Sequence, residues 1–177
     1  FSCYIWNIEK TVALCSVLKK MNNDIVIILG GPELSEGYDS LLLEKKADFI
    51  IRGEGDHAFS QLLDCIQNRK DPESVDNLVF VRNGIVIKNE VRPVSVLDEL
   101  ELPWKKELID TSKNFIYYEI SRGCPFSCKY CLSGISDKVR YYSLNIVRNI
   151  FDNIIHSGFD IFRCIDRTFN LDEKRAV

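Results

Sequence analysis

Three thiols, Cys124, Cys128 and Cys131, fall within eight residues in the spacing C-x3-C-x2-C. Three thiolates converging from one short loop make a soft-metal site. The number of thiols bears on which metal. A structural zinc takes four ligands, most often as two C-x2-4-C pairs, and an ordinary iron–sulfur cluster is also held by four cysteines. On the residues alone, two readings stay open. In one, Cys164 completes the trio as a closed zinc site in a non-catalytic binding module. In the other, the trio alone holds a four-iron cluster and leaves one iron open to a substrate. Cys164 stands in an apolar strand, and free cysteine is among the most buried residue types, so it fits the core better than a metal site.

The whole chain narrows the classes. Its 177 residues allow one large domain or two small ones, and 46% apolar residues are enough for a core. A net charge of −3 gives no basic field for nucleic acid. No apolar run approaches the ~18 residues of a membrane span, and no stretch of these 177 residues has the pattern of a signal peptide. Seven cysteines, odd in number and partly clustered, point to metal chemistry in a reducing cytoplasm and not to a disulfide framework. The chain starts at Phe1 inside an apolar stretch and stops at Val177 shortly after Leu171, where a helix is expected to begin. We expect an internal piece of a longer protein.

The elements that must position these residues follow from periodicity. Residues 1–6 form an expected buried strand, and Asn7 an expected cap of a helix with Ile8, Val12, Cys15 and Leu18 on one stripe. Residues 24–29 are β-branched and apolar, as in a parallel strand covered on both faces, and Gly30-Gly31-Pro32 stops them. A short helix is expected over 38–46 and a strand over 48–51. A further helix over 56–68 is expected to be capped by Asp56, with Phe59, Leu62, Leu63 and Ile66 inward. This alternation predicts an α/β fold with a parallel sheet. Residues 78–81 and 85–88 flank Asn83-Gly84, the strongest two-residue hairpin signal. The expected domains are 1–90, a linker over 91–113 with Pro93 and Pro103, and 114–177. In the last, a strand over 115–121 leads into the cysteine loop. A helix over 143–157 with Ile146, Ile150, Phe151 and Ile154 on one stripe follows, ended by Gly158, and then a strand over 161–166. This β–α–β pattern opens a parallel barrel, whose ligands sit at the carboxyl ends of strands.

The motif Ser-Arg-Gly-Cys-Pro-Phe-Ser-Cys-Lys-Tyr-Cys at 121–131 resembles that of the radical S-adenosylmethionine (radical SAM) superfamily. The resemblance implies that Cys124, Cys128 and Cys131 hold a 4Fe–4S cluster whose open iron chelates SAM. Reductive cleavage to a 5′-deoxyadenosyl radical would follow, with an external donor of flavodoxin or ferredoxin type supplying the electron. It implies that Tyr130 packs near the adenine and that Asp166, after the second barrel strand, binds the SAM amine, although the family's Gly-Gly-Glu form is absent there. Gly123 and Pro125 shape the loop, and Arg122 and Lys129 place positive charge beside the anionic cluster. The N-terminal half resembles the cobalamin-binding (B12) domain found in front of many such enzymes. By that resemblance Ser2, Asn7, Gly30, Gly31 and Glu54 would contact cobalamin, with Ser2-Cys-Tyr4 in place of the family's Ser-x-Leu and no Asp-x-His-x-x-Gly segment in this sequence. Cobalamin would then carry a methyl group or assist a rearrangement of a small-molecule or peptide substrate. Gly53-Glu-Gly-Asp-His-Ala58 also matches a dinucleotide fingerprint, but Glu54 and Asp56 would set two carboxylates where a pyrophosphate must sit. His57 and His156, near helix ends, are read as structural or solvent-facing.

Overall fold

The computed structural model describes residues 1–103, 108–110, 112–131 and 138–175, which fold as two compact units, Phe1–Val94 and Ser95–Val177. The expected linker over 91–113 lies partly outside the described residues. Leu97 and Leu100 in that stretch are buried in the second unit.

The first unit is an α/β sandwich. Its elements run α1 (Ile8–Met21), β1 (Ile28–Gly30), α2 (Asp39–Leu43), β2 (Phe49–Ile51), α3 (Asp56–Asn68), β3 (Leu78–Arg82) and β4 (Ile85–Lys88). The sheet order is β1-β2-β3-β4, with β1 and β2 parallel and the two later pairs antiparallel. Alternate strand residues serve opposite faces, as period two requires. Leu29, Ile50 and Val79 pack with Ile8 and Cys15 of α1 and Leu41 and Leu42 of α2. Ile51, Leu78 and Phe80 pack with Ala58, Leu62 and Cys65 of α3 on the other side. The hairpin turn has Asn83 at φ 52° and Gly84 at φ 76°, the two positive angles that a type I′ turn needs.

Several local expectations are corrected. Residues 1–6 are not a buried strand. Ser2 bridges Gly30 in parallel and Cys3 is buried, but Ile5 and Trp6 are 78% and 73% exposed. The chain has turned outward by then, and the Tyr4 and Trp6 rings stack 4.6 Å apart. Asn7 stands at the N-cap of α1, as expected, and its carbonyl accepts from the Thr11 N–H, but its side chain makes no capping bond. Its Oδ1 accepts from the Tyr4 N–H at 2.7 Å and its Nδ2 donates to the Ser2 carbonyl at 3.0 Å, so it closes the preceding turn. Asp56 is the first residue of α3 and Gly55 is its N-cap. The inward positions of α3 are Ala58, Leu62 and Cys65, while Phe59 and Leu63 remain 46% and 37% exposed.

One ion pair ties α1 to the start of β2. Lys19 is only 10% exposed, and its ammonium meets Asp48 at 2.7 Å and the Ile25 carbonyl at 2.7 Å. Asp48 also accepts from the Ile27 N–H at 2.7 Å, so one carboxylate fixes the entries of both parallel strands.

The second unit holds β5 (Phe115–Tyr118), β6 (Ser121–Arg122), β7 (Arg140–Tyr141), α4 (Leu144–Ile155) and β8 (Ile161–Cys164). β5 and β8 pair in parallel across α4, the expected β–α–β unit. Ser143 caps α4 by accepting from the Ile146 N–H. Ile150 and Ile154 of α4 pack on Tyr118 and Ile120. The helix expected from Leu171 does not form over 171–175, where the chain makes turns instead. No helix among the described residues is long and apolar enough to cross a membrane.

Replacing Lys19 by Met should destabilise the protein by about 2 kcal/mol in chemical denaturation. It strands Asp48 and the Ile25 carbonyl, though Asp48 is partly solvated and keeps the Ile27 bond.

Candidate functional site

Each unit places chemistry-bearing residues at the carboxyl ends of its parallel strands. In the first unit these ends form an open groove of ≈ 220 Å³, lined by Phe1, Ser2, Gly30, Gly31, Gly53 and Phe59 among others. Drug-sized ligands are enclosed by cavities of ~300–1,000 Å³, so a groove of this size seats an extended part of a larger molecule. Its walls are glycine backbone and two aromatic rings, which suits a flat, partly apolar tail approaching main chain closely.

The two adjacent glycines do different work. Gly31 has φ +107°, and a Cβ there would lie 2.5 Å from the Cys3 carbonyl oxygen and 2.7 Å from its nitrogen. It is glycine because the first segment of the chain crosses over it. Gly30 has no such restriction. A Cβ there would meet the Ile51 oxygen at 3.5 Å, an ordinary contact, so its lack of a side chain keeps the groove open.

Of the residues expected to contact cobalamin, Ser2, Gly30 and Gly31 line the groove, and Asn7 and Glu54 are not among its lining residues. Asn7 holds the turn before α1. The Glu54 carboxylate accepts from the Val94 N–H at 2.9 Å, and its carbonyl accepts from Asn77 at 2.8 Å, so it anchors the end of the unit. Phe1 and Phe59 were missed. The signal for Phe59 was its place in the first turn of α3, directly after the Gly-Glu-Gly turn, where an inward-facing stripe is least constrained. Burial pushes the Cys3 and Cys15 thiols up, as expected of core cysteines and not of reactive ones.

In the second unit the chain leaves β5 and changes partner. The parallel ladder continues to the Ile165 N–H, which donates to the Tyr118 carbonyl at 2.9 Å. Beyond it the Ile120 N–H donates to Asp166 Oδ1 at 2.9 Å, and the Ile120 carbonyl accepts from the Tyr142 N–H at 3.2 Å. Ser121 and Arg122 then pair antiparallel with Tyr141 and Arg140. Gly123 follows at φ +100°, where a Cβ would lie 2.3 Å from the Lys138 carbonyl oxygen. The glycine expected to shape the loop is thus required by a second backbone crossing.

The three cysteines lie on the loop after this crossing. Cys124 is half-buried, with its sulfur 3.5 Å from Thr168 Oγ1. Cys128 and Cys131 are exposed and joined by a turn in which the Cys131 N–H donates to the Cys128 carbonyl at 3.0 Å. Among the described residues no three Cys, His, Asp or Glu side chains stand close enough together to hold a metal ion. The trio therefore shares one loop with a fixed base and an open tip.

The other expected site residues are placed as follows. Tyr130 is 94% exposed at the loop tip. Asp166 stands at the end of β8, where its two oxygens accept from Ile120 N–H and, at 2.6 Å, from Ser121 Oγ, so in this structure the carboxylate ties strands together. Arg122 is paired with Glu119 at 2.9 Å, which offsets the positive charge expected to face a cluster. Cys164 packs beside Tyr118, Ile120 and α4, and burial pushes its thiol up, which counts against its completing a zinc site.

Comparison with known proteins bears on both units. Residues 1–63 match the B12 binding domain model. The chain is 27% identical over 175 residues to an uncharacterized methyltransferase of Pyrococcus horikoshii, covering 93% of this chain and 38% of that protein. It is 22% identical to the cobalamin-dependent radical SAM methyltransferase TokK of Streptomyces tokunonensis, over 85% of this chain and 26% of TokK. The fold superposes with a TM-score of 0.74 on the cobalamin-dependent S-adenosylmethionine radical enzyme OxsB, solved with aqua-cobalamin and S-adenosylmethionine bound. That match covers 95% of this chain and 25% of OxsB, at 19% identity. The chain thus spans about a quarter to two fifths of the length of these relatives.

Gly31→Ala should lower stability by about 3 kcal/mol, from overpacking against Cys3 and from the strained φ. Gly30→Ala should stay within about 1 kcal/mol of the parent. Paired thermal denaturation of the two variants checks the division of roles.

Proposed function

We propose that this chain, a relative of the cobalamin-dependent radical SAM methyltransferases with a B12 binding domain at residues 1–63, belongs to an enzyme that holds a 4Fe–4S cluster on Cys124, Cys128 and Cys131. The observation that carries the reading is the loop itself. Three thiols stand at the carboxyl end of the first strand of a parallel β–α–β unit, two of them open to solvent. Once bound, the cluster would supply the electron that cleaves SAM and so generates the radical used for C–H activation.

The chain's own residues have distinct tasks. Cys124, Cys128 and Cys131 bind, and the exposed pair at the tip can adjust to the cluster's geometry. Ser121, Gly123 and Asp166 fix the base of the loop. Tyr130 is open to stack on an adenine, and Asp166 keeps lone pairs beyond its two protein bonds for an ammonium hydrogen bond. The groove at Ser2, Gly30 and Gly31 would seat the nucleotide tail of cobalamin, with Phe1 and Phe59 flanking it. The bound cobalamin would carry a methyl group to the substrate or assist another rearrangement. A small reductant protein of flavodoxin or ferredoxin type fits the need for single electrons at low potential. The substrate is a small molecule or a peptide, in a cytoplasmic setting that keeps the thiols reduced.

The purified protein, reconstituted anaerobically with iron and sulfide, should bind about four of each per chain and absorb near ~400 nm, as cysteine-ligated clusters do. Changing Cys124, Cys128 and Cys131 together to Ala should abolish that absorbance. One zinc per chain with no iron or sulfide would overturn the assignment in favour of a closed structural site. A Gly30→Leu substitution should weaken cobalamin binding at least ~10-fold by filling the groove, at little cost in folding. Equal affinity of the variant and the parent in a cobalamin titration would place the corrinoid elsewhere.

A further inference from the structure

The segment that follows β8 touches the cysteine loop and its base at successive points. Asp166 accepts from Ile120 N–H at 2.9 Å and from Ser121 Oγ at 2.6 Å. Two residues on, Thr168 Oγ1 lies 3.5 Å from the Cys124 sulfur, within hydrogen-bond range for sulfur. Further along, the Arg175 guanidinium donates to the Tyr142 carbonyl and lies 4.7 Å over the Tyr141 ring, on the strand paired with β6. Cys124 is half-buried, whereas Cys128 and Cys131 are exposed. The segment thus contacts the first thiol of the trio and supports the strand pair beneath it.

We infer that Thr168 is a positioning residue for Cys124, its hydroxyl donating to the sulfur and holding the first ligand of the trio in place. The inference rests on the cluster reading above and deepens it. Between a thiol and a hydroxyl either partner can donate. A metal-bound thiolate has no proton, so the hydroxyl must then be the donor. A donor to a cluster sulfur stabilises the added negative charge of the reduced state and raises the potential. Asp166 fixes the other end of the contact by holding the two residues before Arg122 in register with β8. A valine at 168 keeps the shape and β-branching and removes only the donor, and a serine keeps the donor.

Two measurements test this. In the protein carrying Cys128→Ser and Cys131→Ser, Thr168→Cys should form a disulfide with Cys124 under mild oxidation, mapped by peptide mass, and Asn170→Cys should not. This needs no cluster. Failure to form that disulfide would overturn the contact, whatever the metal content. In the reconstituted protein, Thr168→Val should retain the parent's iron and sulfide. At a fixed applied potential its ratio of reduced to oxidised cluster should fall about three- to tenfold, the worth of one hydrogen bond, and Thr168→Ser should restore it. An unchanged ratio in Thr168→Val with full iron content would sink the tuning role. A parent protein that takes up no iron would instead sink the cluster reading, leaving the disulfide to decide the contact.

Discussion

At two places the backbone of this protein runs so close to another segment that no side chain fits between them. Gly31 lies under Cys3, and Gly123 lies against Lys138. Both candidate sites hang from these crossings. In the first unit the crossing lets residues 1–3 lie alongside β1, with the Cys3 N–H donating to the Gly30 carbonyl at 2.6 Å and the Gly30 N–H to the Phe1 carbonyl at 3.0 Å. Without it Phe1 and Ser2 would not reach the edge of the groove. In the second unit the crossing brings Lys138 against the entry of the cysteine loop, so a loop with exposed thiols has a closed base. A Cβ within 2.5 Å of a main-chain oxygen cannot be absorbed by a side-chain rotation, because backbone would have to move. These glycines are therefore fixed by packing whether or not a cofactor is bound.

The crossing in the second unit works only because β5 can change partner without leaving a buried main-chain group unpaired. The Asp166 carboxylate takes the Ile120 N–H at the point where the parallel ladder to β8 ends. The Ile120 carbonyl is taken by the Tyr142 N–H. Ile120 and Ser121 are both buried, and an unpaired donor there would cost about 1–3 kcal/mol. A carboxylate is suited to this place because its two oxygens serve a backbone donor and a hydroxyl together. An asparagine would offer one acceptor and turn an N–H₂ toward the other donor.

Much of this was legible in the sequence. The helices and strands between residues 8 and 88, the hairpin at Asn83-Gly84 and the β–α–β unit over 115–164 follow in order from apolar periodicity and turn chemistry, whereas the strand expected over 1–6 and the helix expected from Leu171 do not form in the described residues. What periodicity could not supply was the use of a residue that fits two roles. Asn7 suits a helix cap, but the turn before α1 takes both ends of its amide. Glu54 sits in a glycine-flanked turn that looks like a ligand contact, yet its carboxylate caps the Val94 N–H forty positions away. Phe59 and Leu63 carry the helical spacing of a core stripe, but Ala58, Leu62 and Cys65 are the buried residues against the sheet, with Ile66 packed beside them. Arg122 was read as charge for a cluster, and Glu119, three residues earlier, takes it first. In each case a particular partner or packing neighbour decided the outcome, and apolar periodicity does not encode which one a residue takes.

As the proposed cluster site, the cysteine loop would combine two requirements that oppose each other. A ligand set must be held close to its final geometry for the cofactor to have a defined potential, yet the metal must be able to enter. A loop fixed at both ends and along its length would satisfy the first and block the second. The structure divides the tasks along the chain. Cys124 follows directly on Gly123 and shares the rigidity of the strand crossing, with Thr168 at its sulfur. Cys128 and Cys131 lie farther out, joined to each other by one main-chain bond and open to solvent. On the proposed reading, ordering the tip would draw on binding free energy when the metal arrives, and the base would need less of it. Had all three thiols been as exposed as the outer two, the entropy of ordering every ligand would weigh against binding, at roughly 1–2 kcal/mol per residue fixed. On the proposed reading, anchoring the first cysteine at the strand crossing would remove part of that cost.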